Sequence, residues 1–196
     1  VLVANYLKAN QSRSPTLADL GEAFPRFASS HPLGRRYPFL ADLSRLERDI
    51  MTRLFADRLP ALDPETIGKI RDEDWARARL IFDPTVLLLK VAWPVERLWR
   101  RRELPPEAGG RCIRRARAQW LLLFRDETWV KVVEISRPEW DTLRQVKEGA
   151  RLGRVFTRAS KSLGDINAAE IQGWLSSWIR SGLIKRIECP KISAKK

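Results

Sequence analysis

The residues that most often carry catalysis or hold metals are few in this chain and lie far apart. It has two cysteines, Cys112 and Cys189, and a single histidine, His31. Neither cysteine belongs to a Cys-x-x-Cys pair, and one histidine with two distant thiols is not a metal-ligand set. A Cys–His nucleophilic pair would need an orienting group, and the sequence shows none. We interpret these residues as buried thiols and a loop histidine, typical of a cytoplasmic protein.

The acidic residues also lack a catalytic pattern. Asp72, Glu73 and Asp74 are consecutive, which is more typical of a solvated helix start than of a metal site. The sequence has no glycine-rich phosphate loop, no Gly-x-Ser-x-Gly, no His-Glu-x-x-His and no Asp-x-Asp calcium loop. The sequence therefore predicts a protein that is not an enzyme and holds no cofactor or metal of its own.

Binding of anions is the chemistry that the composition favours. The formal net charge is +13 at pH 7, and residues 111–196 carry 19 Lys/Arg against 9 Asp/Glu. The partner should therefore be a nucleic acid, an acidic peptide or an acidic protein face. The four basic residues from Arg151 to Lys161 are spaced so that they fall on one helix face, which is equally typical of a solvated surface. The two basic groups are Arg111, Arg114, Arg115 and Arg117, and then Arg151, Arg154, Arg158 and Lys161.

The hydrophobic pattern of the first half predicts the elements that precede these groups. One apolar stripe marks a long helix, formed by Leu40, Leu43, Leu46, Ile50 and Leu54. Two extended runs follow, Arg77 to Phe82 and Val86 to Trp93. Because Pro94 disfavours helical backbone at Trp93 and suits the first turn of a helix, this pair predicts a switch from strand to helix. No apolar run approaches the roughly 18 residues that cross a bilayer, so we expect no membrane partner.

The second half begins after a stretch that resembles a linker. Residues 101–111 contain two prolines and two glycines, and we place a domain boundary there. Beyond it, two apolar runs around residues 125–128 predict a β-hairpin, followed by three amphipathic helices and a short strand. The sequence thus predicts an α+β fold: a mainly helical domain over residues 1–104, a winged-helix-like domain over residues 111–190, and a disordered tail over residues 191–196.

A basic winged-helix-like domain has two common uses. One is duplex binding, but the predicted recognition helix, Asn167 to Ser181, is poor in the Arg and Asn side chains that contact base edges. The other is peptide capture, in which an extended peptide joins an exposed strand edge beside a helix. The strand Trp129 to Ile135 and the helix bearing Trp174 and Trp178 would line such a groove, although the spacing of these tryptophans favours a place in the core.

Three blocks of the first half resemble, in order and spacing, the HvfC/BufC family. The blocks are a Ser-Pro-x-Leu-x-x-x-Gly-x-x-Phe-Pro-x-Phe stretch from Ser14 to Phe27, a Pro-Phe-Leu-x-Asp-Leu-x-Arg-Leu-Glu helix start from Pro38 to Glu47, and a Trp-Pro-Val-x-x-Leu-Trp segment from Trp93 to Trp99. The resemblance covers roughly Tyr6 to Arg102. The remainder of the chain is similar only in its predicted architecture.

The resemblance implies a role in making ribosomally synthesised, post-translationally modified peptides (RiPPs). Although the N-terminal region of this family carries the label of a DNA-binding domain, its members look like partners of multinuclear non-haem iron-dependent oxidative (MNIO) enzymes. Such an enzyme modifies cysteines of a precursor peptide, and the partner recruits that peptide through a domain similar to the winged-helix RiPP recognition element. The resemblance therefore implies a cytoplasmic, non-catalytic adaptor that forms a heterodimer with an MNIO enzyme, which holds the iron, and binds the precursor leader.

The expected binding residues come from the hairpin, the basic helix face and the matched blocks. The expected peptide contacts are Trp129, Val130, Lys131, Val132, Val133, Glu134, Arg151, Arg154 and Arg158. The expected enzyme-docking residues are Tyr37, Pro38, Leu40, Asp42, Arg45, Glu47, Trp93, Pro94 and Trp99. Several of the second set also have a structural interpretation, since Arg45 and Glu47 can pair with neighbours. The alternative function is a nucleic-acid-binding transcriptional regulator that uses the basic half.

Overall fold

The computed structural model describes residues 2–10, 21–102, 115–162 and 168–189, and these form an α+β protein. The elements before the first strand are helices α1 (Leu2–Ala9), α2 (Phe24–Ser30), α3 (Pro32–Arg36), α4 (Phe39–Leu54), α5 (Pro64–Gly68) and α6 (Asp72–Trp75). Next come β1 (Arg79–Phe82), β2 (Leu87–Val91) and α7 (Val95–Arg101). The remaining elements are β3 (Gln119–Arg125), β4 (Val130–Ile135), α8 (Arg137–Lys147), α9 (Leu152–Ser162), α10 (Ala168–Arg180) and β5 (Ile184–Glu188).

The long helix α4 organises the first part of the chain. Its predicted apolar stripe is confirmed, and Leu46 and Ile50 are buried. Helices α2 and α7 pack against it. The turn between α2 and α3 is tight, because a Cβ atom on Gly34 would lie only 1.7 Å from the carbonyl oxygen of Ala28. Only glycine fits at this contact, which fixes the angle between the two short helices.

Both sheets combine strands from the two sides of residues 103–114. The antiparallel three-stranded sheet has the order β2-β3-β4, with Leu89 opposite Leu121 and Leu122 opposite Val133. The second sheet pairs β1 with β5 in antiparallel orientation, with Leu80 opposite Ile187. The hairpin β3–β4 was predicted and is confirmed. The division into two domains at residues 101–111 stays a prediction, but strands on either side of it share both sheets.

The three-stranded sheet separates two hydrophobic cores. On one face, Leu121 and Leu123 of β3 contact a core that we call the α4–α7 core, which also contains Leu46, Ile50, Leu89, Val91, Val95, Val130 and Val132. On the other face, Leu122 belongs to the α8–α10 core, together with Leu80, Phe82, Leu143, Val146, Leu152, Val155, Trp178, Leu183 and Ile184. Because side chains alternate along a strand, neighbouring leucines of β3 enter opposite cores.

Local sequence signals explain where several elements begin and end. Asp63 caps α5, since its Oδ1 accepts the N–H of Glu65 at 3.0 Å. Strand β2 ends at Val91 and α7 begins at Val95, which confirms the strand-to-helix switch at Trp93-Pro94. Gly182 has φ +67° and ends α10 before β5. Among the described helices, none is both long enough and apolar enough to cross a membrane.

Candidate functional site

Among the described strands, β4 lies at one edge of the three-stranded sheet, so one of its sides faces away from β3. The hairpin turn closes with a hydrogen bond from the N–H of Asp126 to the carbonyl oxygen of Trp129 at 2.9 Å. From this pair, bonded and non-bonded positions alternate along an antiparallel ladder. With the observed register, the main-chain groups of Val130, Val132 and Glu134 point away from β3. We call this side the open edge of β4.

The predicted peptide-binding residues of β4 divide between its two faces. Val130 and Val132 are buried in the α4–α7 core. On the opposite face, Trp129 and Val133 are 43% and 39% exposed, and Lys131 is also exposed. The side chains of Trp129, Lys131 and Val133 are therefore accessible beside the open edge, whereas Val130 and Val132 offer only main-chain groups.

The hairpin turn beside Trp129 is held by a carboxylate. Asp126 Oδ1 accepts the N–H groups of Thr128 at 2.8 Å and of Trp129 at 2.7 Å, and its Oδ2 lies 3.0 Å from Lys131 Nζ. The bond from the Trp129 N–H and the bond from Lys131 lower the pKa of Asp126 to about 2. This carboxylate therefore fixes the position of Trp129 at the start of β4.

Glu134, also predicted to bind peptide, belongs to a hydrogen-bond network at the far end of β4. Its Oε1 lies 2.5 Å from Arg117 Nη2, and its Oε2 accepts a bond from the buried side chain of Gln119 at 2.7 Å. Gln119 in turn accepts the N–H of Glu96, the second residue of α7, at 3.3 Å. The network joins β3, β4 and α7, so Glu134 has a structural role in the described protein.

Arg100, on α7, contacts the open edge itself. Its Nη2 donates to the carbonyl oxygen of Val132 at 3.0 Å, and its Nε donates to the carboxylate of Glu96. This contact agrees with the outward orientation that the register gives to the Val132 carbonyl. Neither Arg100 nor Gln119 was predicted from the sequence, because their contacts join distant segments and leave no local pattern.

The three arginines expected to bind peptide are exposed but belong to a different part of the fold from β4. Arg151 lines a pocket of about 430 Å³ with Arg79, Glu188 and Cys189, beside the β1–β5 sheet. Arg154 and Arg158 lie exposed on α9. The N-terminus of α9 is anchored near β1, where the N–H of Leu152 donates to the carbonyl oxygen of Ala78. Arg111, Arg114 and the side chain of Lys161 lie outside the described residues.

The tryptophans of α10 belong to the core, as their spacing favoured. Trp178 is 1% exposed, and its Nε1 donates to Glu139 Oε1 at 3.0 Å. Burial raises the pKa of Glu139, and the bond from Trp178 partly offsets that rise. Ser136 Oγ accepts the N–H of Glu139 and caps the N-terminus of α8. Trp174 is half-buried against the same core.

The structure brings together the two sequence blocks that carry the expected docking residues. Asp42, in the first turn of α4, accepts the N–H groups of Ala92 at 2.7 Å and of Trp93 at 3.1 Å. It therefore caps the strand-to-helix switch before Pro94. Trp93 and Trp99 pack against the α4–α7 core, and the guanidinium of Arg102 lies 3.6 Å from the Trp99 ring centre. These residues hold the fold together, and most of their surface faces inward.

The remaining expected docking residues lie along the outer side of α4 and before it. Tyr37 is 37% exposed, and its ring is tilted by 58° relative to that of Phe39, with ring centres 6.2 Å apart. Pro38 and Arg45 are exposed and Leu40 is half-buried. Glu47 lines a groove between the first helices, where burial raises the pKa of its carboxyl group and Arg102 partly offsets the rise.

This groove is a large apolar depression in the described protein, and no pattern in the sequence predicted it. It has a volume of about 760 Å³ and lies between α1, α2 and α4. Four large apolar side chains in it are unusually exposed. They are Val3 at 57%, Leu7 at 45%, Met51 at 49% and Phe55 at 76%.

His31 and Cys189, whose side-chain types often take part in catalysis, have local contacts that favour a structural role. His31 caps α3, since its Nδ1 accepts the N–H of Leu33 at 3.2 Å. Burial and the carboxylate of Asp74 raise the pKa of the Cys189 thiol, the opposite of the lowered pKa that activates a nucleophilic cysteine. Cys112 lies outside the described residues. Within the described ranges, no group of three or more His, Cys, Asp or Glu side chains is placed to hold a metal ion.

Comparison with protein-family models and with curated proteins finds no match for this chain. The resemblance to the HvfC/BufC family therefore stays a prediction from the sequence blocks.

Proposed function

We propose that this protein is a non-catalytic adaptor that binds a precursor peptide along the open edge of β4 and presents it to an MNIO-type iron enzyme. The observation that supports it best is the edge itself, with outward main-chain groups at Val130, Val132 and Glu134 beside the accessible side chains of Trp129 and Val133. Main-chain bonds of this kind hold extended peptides by strand addition. The resemblance to HvfC/BufC proteins supports the nature of the peptide and the enzyme, and a cytoplasmic location.

The order of the later elements supports a winged-helix-like, RiPP recognition element-like module. The hairpin β3–β4 is followed by α8, α9 and α10 and then by β5. In such a module the edge strand and the neighbouring helices form the peptide site. Here β2, from before the predicted linker, completes the sheet. The module would therefore include residues on both sides of that linker.

The helical part would bind the partner enzyme through its apolar groove. Large exposed apolar patches on soluble proteins usually mark interaction sites. Of the docking residues expected from the resemblance, Glu47 lines this groove, whereas Asp42, Trp93 and Trp99 make internal contacts. We therefore propose that the docking surface consists of the groove residues Val3, Leu7, Met51 and Phe55 and not of the matched blocks.

Two matched substitutions test whether the two surfaces have separate roles. We expect Val133→Glu to weaken binding of a Cys-containing precursor peptide by about tenfold, because it places charge beside the edge. Val3→Glu makes the same change in the groove and should leave peptide affinity unaltered while weakening co-purification of an MNIO-type iron enzyme. Equal effects of both variants on both partners would contradict the proposal.

The nucleic-acid alternative is tested in the same titration. A fluorescence titration with an acidic peptide and with duplex DNA, each at two salt concentrations, separates the two functions. Duplex binding would weaken steeply with salt, because each neutralised phosphate releases counterions. Tight, base-dependent DNA binding without peptide binding would overturn the adaptor proposal.

A further inference from the structure

We infer that Arg100 is a latch on the open edge of β4, which an incoming peptide strand must displace. The inference rests on the proposed function, because it concerns the same edge. Arg100 Nη2 donates to the carbonyl oxygen of Val132 at 3.0 Å. That carbonyl is one of the outward acceptors that a strand adding to β4 would use. The edge is therefore partly occupied by the protein's own side chain.

The position of Val132 makes the contact effective. Val132 is the middle of the three outward-facing positions of β4, between Val130 and Glu134. A peptide strand that adds along β4 must donate an N–H to the Val132 carbonyl to keep a continuous ladder. A guanidinium at that oxygen interrupts the ladder at its centre.

The latch can open without leaving a buried charge unpaired. Glu96, one helical turn before Arg100, is bonded to Arg100 Nε, and its side chain is 11% exposed whereas that of Arg100 is 61% exposed. The guanidinium can therefore release Val132, stay paired with Glu96 and turn toward water. Opening loses one charge-assisted hydrogen bond.

A cover on this edge also protects the protein in the absence of peptide. An open strand edge with apolar neighbours invites pairing with a second chain, and charged side chains at the edge prevent it. Trp129 and Val133 are such neighbours here. Arg100 would thus exclude unspecific strands and admit those that bind strongly enough to replace it.

The test compares the unmodified protein with Arg100→Ala, Arg100→Lys and Arg97→Ala. The probe is a short fluorescein-labelled peptide in which valine and glutamate alternate. Losing an arginine weakens attraction to an acidic peptide by long-range electrostatics, so the latch predicts a change of opposite sign. We expect Arg100→Ala to bind about fivefold to tenfold more tightly than the unmodified protein, which corresponds to the loss of one competing charged hydrogen bond.

The other two variants distinguish the release of the Val132 carbonyl from the loss of a positive charge. Arg97 is an exposed arginine of the same helix, so Arg97→Ala should bind equally or slightly more weakly. Arg100→Lys keeps the charge and the pairing with Glu96 but cannot bridge both acceptors, so it should also bind more tightly. If thermal unfolding shows that Arg100→Ala is not folded, the peptide affinity of Arg100→Lys alone tests the latch.

Each outcome of the titration has a defined meaning. If all the proteins bind the peptide and both Arg100 variants have an affinity equal to or lower than that of the unmodified protein, the latch is overturned. Strand addition then remains the proposed mode of binding. Equal tightening in Arg97→Ala also overturns it. Absence of binding in every protein, including the Arg100 variants, overturns the proposed function and the latch together. Binding only by the Arg100 variants supports both.

Discussion

Buried and half-buried polar side chains hold the joints of this fold. Asp42 bonds the backbone at the strand-to-helix switch, Gln119 links β3 to α7 and β4, and Glu139 bonds the indole of Trp178. Asp83 does the same after β1, where its Oδ1 accepts the N–H and the hydroxyl of Thr85. Because an unmade bond at a buried polar group is costly, each of these contacts fixes one arrangement of two elements.

The buried ion pair of Asp83 and Lys185 predicts a large loss of stability when its charge balance is broken. Their side chains are 3% and 5% exposed, and Asp83 Oδ2 lies 3.3 Å from Lys185 Nζ. Burial alone would raise the pKa of Asp83, but the bonds from Thr85 and the charge of Lys185 hold that pKa below its usual value. Asp83→Asn leaves a buried ammonium without its counter-charge and should lower the free energy of unfolding by about 3 kcal/mol, measured by urea denaturation.

The exposed pair of Glu65 and Lys69 is the control for that measurement. Glu65→Gln should change the free energy of unfolding by less than about 0.5 kcal/mol, because surface ion pairs contribute little. An Asp83→Asn variant as stable as Glu65→Gln would show that the buried pair has no stabilising role.

Asp126 gives a prediction about pH. Its pKa is lowered to about 2 in the folded protein, below the roughly 3.9 of an unfolded aspartate. Its contribution to stability is therefore fully present above about pH 5 and is lost as the pH falls toward 2. Asp126→Asn keeps the size of the side chain but cannot titrate. The stability difference between the two proteins should shrink between pH 5 and pH 2 in thermal unfolding, and a constant difference would contradict this account.

At the scale of elements, the helices of the first part are fixed by two close contacts. One is the approach of Gly34 to Ala28. Gly34→Ala should lower the free energy of unfolding by about 3 kcal/mol, because backbone on both sides must move. Gly68→Ala, at a helical glycine with open space around its Cα, should be neutral or stabilise by less than about 1 kcal/mol. Urea denaturation of both variants tests this, and similar values would argue against the tight turn.

The other contact is the capping of the β2–α7 joint by Asp42. Asp42→Ala removes the acceptor for two N–H groups and should lower the free energy of unfolding by about 2 kcal/mol. A more specific readout is amide hydrogen exchange, which should accelerate at Ala92 and Trp93. Exchange at these amides that does not change would show that the carboxylate is not their acceptor in solution.

At the scale of the whole molecule, the shared sheets predict that the two halves depend on each other. We expect a protein cleaved at a protease site inserted after Gly109 to keep both fragments together under native conditions. The reason is that β2 pairs with β3 and β1 with β5 across that point. Gel filtration before and after adding urea measures the association. Fragments that separate without denaturant and remain folded would favour two independent domains.

Much of the fold could be predicted from the sequence, because its helices and strands have local signals. The stripe of α4, the Trp93-Pro94 switch, the hairpin and the cap at Ser136 all lie within short windows. Strand pairing has no such signal, since β1 and β2 are neighbours in sequence yet enter different sheets. The same reason explains the incomplete prediction of the site. The residues of β4 were identified from the hairpin, whereas Arg100 and the apolar groove depend on contacts between distant elements.

The pairing of β1 with β5 also has a consequence in time. During synthesis β1 leaves the ribosome long before residues 184–188 exist, and β2 precedes β3 by a shorter interval. Leu80 and Leu89, both buried in the finished protein, must wait for these partners as exposed apolar strands. Chains dominated by such distant pairings fold slowly and expose surfaces that aggregate. The nascent chain therefore exposes these apolar strands until residues 184–188 have been made.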